Sequence, residues 1–124
     1  MFNTSYIMGF EYIFKHICGE QNLNLPYWRD IPLGSPGFAS FGHEVTLESA
    51  AEHFPDDIIV GNINPSIIQT GSEKDVYTAA KEVIQKGKSL NQGFVFAPGC
   101  GLPPKSPPEN IRAMTQAIDD FGWY

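Results

Sequence analysis

Residues 57–97 decide the fold: Asp57-Ile58-Ile59-Val60, then Ser72-Glu73-Lys74-Asp75-Val76 running on to Gly87, then Gly93-Phe94-Val95-Phe96-Ala97. The two outer pieces are short and rich in β-branched or aromatic residues, and each runs into a breaker, Gly61 or Pro98-Gly99. They read as buried strands. Between them Val76, Ala79, Ala80, Val83 and Ile84 recur at three-and-four spacing, which predicts an amphipathic helix. Ser72 to Asp75 supplies its start and Gly87 a stop. Strand, helix, strand in that order means two parallel strands joined by a helical crossover.

The same alternation extends both ways. Upstream, Tyr12-Ile13-Phe14-Lys15-His16-Ile17-Cys18 stops at Gly19, and Gly37-Phe38-Ala39-Ser40-Phe41 stops at Gly42. Both read as strands. Residues 22–31 contain Pro26, which argues for a loop with a short helical piece rather than a long helix. Thr46 caps a short helix carrying Leu47, Ala50, Ala51 and Phe54, closed by Pro55. Downstream, Ser106 is read as a cap, Pro107 as the first helical residue and Glu109 as the return arm of a capping box. Ile111, Met114, Ala117, Ile118 and Phe121 form the buried stripe of that last helix. The chain is thus an α/β protein with a parallel (β/α)4 unit, compatible with an open doubly wound sheet or with half of an eight-stranded barrel. The Pro-rich stretch 103–108 is a strand-to-helix loop, so residues 1–124 form a single domain.

Composition narrows the function. Of 124 residues, 42% are hydrophobic and 18% charged, the balance of a folded domain. Eight Lys and Arg against 14 Asp and Glu give a net charge of −6. That leaves no basic face for nucleic acid or for an anionic membrane surface. No apolar run is long enough to span a bilayer, and Met1 to Ser5 lacks the basic, apolar start of a secretion signal. The expected compartment is the cytoplasm.

Two cysteines, Cys18 and Cys100, acquire meaning from their place. His16 and Cys18 are two apart in an extended segment, so both side chains point the same way. They lie at the C-terminal end of the first strand, and Cys100 follows the C-terminal end of the fourth. In parallel α/β folds those ends share one face, where active sites form. Two thiolates and one imidazole with an open fourth position make a catalytic zinc pattern. Spacing alone leaves two other readings open: a pair of buried small residues beside an ordinary histidine, and a Cys18–Cys100 disulfide.

The motifs carry a resemblance. His16-Ile17-Cys18-Gly19, Gly61-Asn62-Ile63-Asn64-Pro65, and Pro98-Gly99-Cys100-Gly101-Leu102-Pro103 followed by Ser106-Pro107-Pro108-Glu109-Asn110-Ile111 resemble, in order and rough spacing, three segments of the uroporphyrinogen decarboxylase superfamily. The likeness runs from about Tyr12 onward. It implies a TIM-type barrel of which this chain is the C-terminal half, so that an N-terminal half or a second copy (a homodimer) is expected to close it. The presence of both cysteines with His16 is similar to the zinc-dependent corrinoid methyltransferase branch, of the methylcobamide:coenzyme M type. That branch implies zinc on His16, Cys18 and Cys100, methyl transfer from a corrinoid protein to a thiol substrate, and no nucleic-acid or membrane partner. The alternatives are a metal-free decarboxylase-like protein and a non-catalytic, zinc-holding half barrel that needs a partner. Asn64 departs from the family's Asp, and Glu20-Gln21 from its Asn-Thr. Asn62 and Glu20 are assigned to substrate binding; Glu20 is also placed to orient His16 or to fill the open metal position. His43 and Glu44 are read as a solvated loop. His53 is read as a structural residue near a helix C-terminus, and Trp28, Trp123 and Tyr124 as packing residues.

Overall fold

The computed structural model describes residues 9–124. Four strands, β1 (Phe14–Ile17), β2 (Phe38–Phe41), β3 (Ile58–Ile63) and β4 (Phe94–Pro98), pair in parallel in the order β1-β2-β3-β4. The helices are α1 (Leu25–Arg29), α2 (Leu47–His53), α3 (Pro65–Thr70), α4 (Glu73–Lys88) and α5 (Pro108–Phe121). Sequential parallel strands with crossovers of one hand place every helix on the same face of the sheet. The (β/α)4 reading is therefore what the chain adopts.

Alternation along the strands divides the side chains between the two faces. Ala39, Phe41 and Ile59 pack with Leu25, Leu47, Ala50 and Phe54 on the helical side. Further along the sheet Ile63 packs with Ile68, Val76, Ala80, Ile84 and Ala117. The opposite face carries Phe14, His16, Phe38, Ser40, Val60 and Val95. Phe14 and Phe38 stack there with ring centroids 5.9 Å apart, and Phe14 stays 59% exposed. Among the described residues, the outer edges of β1 and β4 have no strand partner.

Four local readings change. β3 does not stop at Gly61 but continues to Ile63, pairing Gly61 with Phe96 and Asn62 with Ala97. Gly61 has φ +148°, a backbone that side chains rarely adopt, and the Gly61–Asn62 peptide is cis. The glycine lets the strand pass through an unusual backbone rather than ending it. Asn64-Pro65, quoted only as part of a motif, opens α3: the Asn64 side chain accepts from Ser66 N at 2.9 Å and Pro65 takes a first-turn position. Gly87 lies inside α4, which ends a residue later. A Cβ at Gly87 would overlap the Phe94 ring, so this glycine serves helix-to-strand packing.

The start of α5 is the fourth. Ser106 does not cap; the N-cap is Pro107, with φ −61° and ψ 138°. The reason is the second proline. A residue preceding proline is pushed out of the helical region, so Pro107 before Pro108 cannot be the first helical residue. Pro107 O instead accepts from Asn110 N at 3.0 Å, and the buried Ser106 Oγ has no hydrogen-bond partner among the described residues. The Thr46 cap on Ser49 N (3.1 Å) and the reciprocal Ser72–Asp75 capping box form as read. The short helical piece within 22–31 is α1, with Pro26 in its first turn, where a missing N–H does no harm.

Candidate metal centre

His16 lies in β1, Cys18 one residue past its end, and Cys100 two residues past β4. Neighbouring strands lie roughly 4.8 Å apart, so the two outer strands of a flat four-stranded sheet would be separated by about 14 Å. The Cα atoms of Cys18 and Cys100 are only 6.1 Å apart. The curl of the sheet and the loop after β4 thus carry Cys100 across to the end of β1. The ligand atoms of His16, Cys18 and Cys100 fall within 4.8 Å of one another. All three residues are exposed. The two sulfurs are in disulfide contact, and His16 Nε2 lies 2.9 Å from Cys18 Sγ. The two cysteines are therefore not the buried small residues of the alternative reading.

His16 is aimed by a residue the sequence reading passed over. Its Nδ1 meets Ser40 Oγ at 2.8 Å, and Ser40, directly opposite His16 in the strand register, is buried. When Nδ1–H donates to Ser40, the lone pair of Nε2 faces the sulfurs, which is the tautomer a metal ligand needs. The signal for it was available: with β1 and β2 parallel, a polar residue on the facing strand is the natural partner of a strand histidine.

The neighbouring loops are packed backbone to backbone. Gly99 N donates to Ile63 O at 2.8 Å, and a Cβ at Gly99 would stand 2.9 Å from His43 N. Only glycine allows the loop before Cys100 to lie this close to the loop after β2. Asn62 donates both amide hydrogens to that loop, to Gly42 O at 3.1 Å and Val45 O at 2.6 Å. It therefore holds residues 42–45, and only its carbonyl oxygen is left for any ligand. Glu20 does not contact His16: its Oε1 accepts from Asn22 N at 2.7 Å and Asn22 Nδ2 at 2.6 Å. The geometry gives Glu20 a loop-forming part in place of an orienting one.

His43 Nδ1 is 3.5 Å from Glu44 Oε2, and His43, Asn62 and Asn64 line a crevice of about 260 Å³ that runs to Glu82 and Lys86 of α4 and is not lined by His16, Cys18 or Cys100. His53 Nδ1 bonds Ser49 O at 2.9 Å within its own helix, the structural part expected of it. On the helical side of β1, Lys15 is buried among Trp28, Phe41 and Phe54, with Nζ 4.3 Å from the Phe54 ring centroid and donating to Trp28 O at 3.4 Å. Burial pushes its ammonium down to about 8, partly offset by the Asp57 carboxylate. Among the described residues no helix is long and apolar enough to cross a membrane.

A family model described as uroporphyrinogen decarboxylase (URO-D) matches residues 9–121. A methylcobamide:CoM methyltransferase, MtbA of Methanosarcina acetivorans, is 27% identical over 107 residues, covering 86% of this chain and 29% of that protein. The corresponding MtaA of Methanosarcina barkeri is 33% identical over 111 residues, 86% of this chain and 30% of that protein. A uroporphyrinogen decarboxylase of Rickettsia akari is 35% identical over 74 residues, 60% of this chain and 21% of that protein. Among solved structures, a methyltransferase from Methanosarcina mazei superposes with a TM-score of 0.70 at 28% identity, over 87% of this chain and 31% of that one. The chain spans less than a third of the length of each of these proteins. With a family match that runs over residues 9–121, the chain belongs to the uroporphyrinogen decarboxylase family.

Proposed function

We propose that this chain carries the zinc-binding part of an enzyme that moves a methyl group from a methyl-corrinoid protein to a thiol such as coenzyme M. One observation carries the reading: His16, Cys18 and Cys100, dispersed in sequence, converge within 4.8 Å at the C-terminal ends of parallel strands. Two thiols and an imidazole are the donor set zinc favours, and three protein ligands leave one position for substrate. Zinc held there would bind the substrate thiol and lower its pKa, so that thiolate is present at neutral pH.

The chain's own residues prepare that place. Ser40 holds the His16 ring and, when its hydroxyl accepts from Nδ1–H, leaves Nε2 to the metal. Gly99 brings the Cys100 loop against residues 42–43, and Asn62 holds residues 42–45 in place. The stacked Phe14 and Phe38 on the open face of the sheet offer an apolar wall below the metal ligands. The outer strand edges and this face call for a second copy or an N-terminal half to complete the barrel. Beyond the metal ligands, Asn62 and Glu20 are this chain's substrate contacts, and the remaining substrate and corrinoid contacts belong to that other part.

The test is elemental analysis of chain purified under reducing conditions, without chelator or histidine tag, beside a Cys18→Ser/Cys100→Ser variant. About one zinc per chain, lost in the variant, is expected. A reduced wild-type chain that takes up no zinc from added metal would overturn the reading. It would favour the metal-free decarboxylase-like alternative, to which the similarity with the Rickettsia protein also points.

A further inference from the structure

We propose that Cys18 and Cys100 form a reversible thiol–disulfide switch that decides whether the metal site exists. The inference rests on the zinc reading above and adds a control to the same site. The two sulfurs that join His16 in the donor cluster are also in disulfide contact with each other. The Cα separation of 6.1 Å lies inside the range a disulfide spans, so closing the bond requires no backbone rearrangement. Both cysteines are exposed, within reach of a small reagent. A metal ligand must be a thiolate, and a disulfide sulfur is not one. Metal and disulfide are thus exclusive uses of the same pair. The oxidised chain retains His16 alone, and a single imidazole does not hold zinc against water.

The oxidant is a low-molecular-weight disulfide of the glutathione class. One cysteine thiolate attacks a sulfur of that disulfide, whose S–S bond breaks, and one small thiolate leaves. The second cysteine attacks the protein-side sulfur of the mixed disulfide, and the second small thiolate leaves. The cysteine pair loses two electrons and the small disulfide gains them. The zinc-bound cysteines carry no thiol protons, so the two departing thiolates take their protons from water, and zinc leaves as the hydrated ion. Excess small thiol runs the sequence backwards and reopens the site.

The experiment uses the wild-type chain, loaded with zinc while reduced and moved without oxygen into thiol-free buffer. Oxidised glutathione is titrated in while three quantities are followed: zinc released to a chromogenic chelator, protein thiols separated from glutathione, and intact mass. The expected result is one zinc released for every two protein thiols lost, with two glutathione thiols formed. Peptide mapping then shows a Cys18–Cys100 linkage with a mass loss of about 2 Da, and dithiothreitol with zinc restores the starting state. Two separate glutathione adducts, or zinc that stays bound at oxidant levels that close the pair in metal-free chain, would overturn the switch. A reduced chain that never takes up zinc removes the zinc reading and the switch together. That outcome is distinct from a site that binds zinc and keeps it under oxidation.

Discussion

Ser40 shows how much a single hydroxyl can decide. It is the atom that orients His16, yet in sequence it is one small polar residue within an apolar strand. Replacing it with alanine removes the partner of Nδ1 and leaves the ring free to turn or to change tautomer. Partners of this kind typically contribute 10–100-fold to metal affinity. Ser40→Ala is therefore expected to weaken zinc binding by about that factor, measured by competition with a chromogenic chelator, while the far-UV spectrum is unchanged. Asn110 shows a second kind of small residue with a large effect. It stands four before Met114 and seven before Ala117, on the apolar stripe of α5, where a polar residue needs a reason to be buried. Its amide donates to Ile68 O at 2.9 Å and Gly71 O at 2.8 Å, closing the C-terminal end of α3. Asn110→Ala strands both carbonyls and is expected to lower stability by about 1–3 kcal/mol in urea unfolding.

At the scale of elements, two predictions separate local propensity from packing. Exposed glycines inside helices normally gain about 1 kcal/mol on replacement by alanine. Gly87→Ala is expected to do the reverse, lowering the thermal midpoint, because the new methyl meets the Phe94 ring of β4. A midpoint that rises would show that the ring yields. The capping box of α4 gives a pH dependence. The hydrogen bond from the Ser72 hydroxyl, with a backbone bond from Ser72, holds the Asp75 carboxyl below its ordinary 3.8. A lowered native value means the contribution is complete above 3.8 and lost as pH falls through the native value. Urea midpoints taken from about pH 5 to pH 2 should show this loss in wild type and a smaller slope in Asp75→Asn. Elements with strong local signals, such as α4 and the four strand cores, were legible in the sequence. The start of α5 was not, because a Ser-Pro pattern was weighed without the veto that Pro108 places on Pro107. The convergence of His16, Cys18 and Cys100 on one face was legible from alternation and strand ends. Ser40 and the loop-holding use of Asn62 were not, because both depend on which strand and loop lie alongside, which no local pattern states.

Over the whole molecule, linking Cys18 and Cys100 closes a loop across 82 positions of chain. By the chain-entropy argument such a closure restricts the unfolded ensemble by about 4 kcal/mol, with measured values commonly at 2–4. The oxidised chain is therefore expected to unfold at higher urea than the reduced, metal-free chain, by about 2–4 kcal/mol in unfolding free energy. Equal midpoints in the two forms would mean that the ends are already held together by other contacts. The linkage spans the first and last strands, which are not neighbours in the sheet. It is a chord drawn across an arc, and its length is fixed by how tightly the arc is bent. A ligand that ties the two ends therefore responds to curvature. On the proposed reading, the part that closes the barrel sets that bend, and so alters the affinity of the chord's two ends for an ion between them. By reciprocity, the ion alters by the same factor how readily the arc accepts that part.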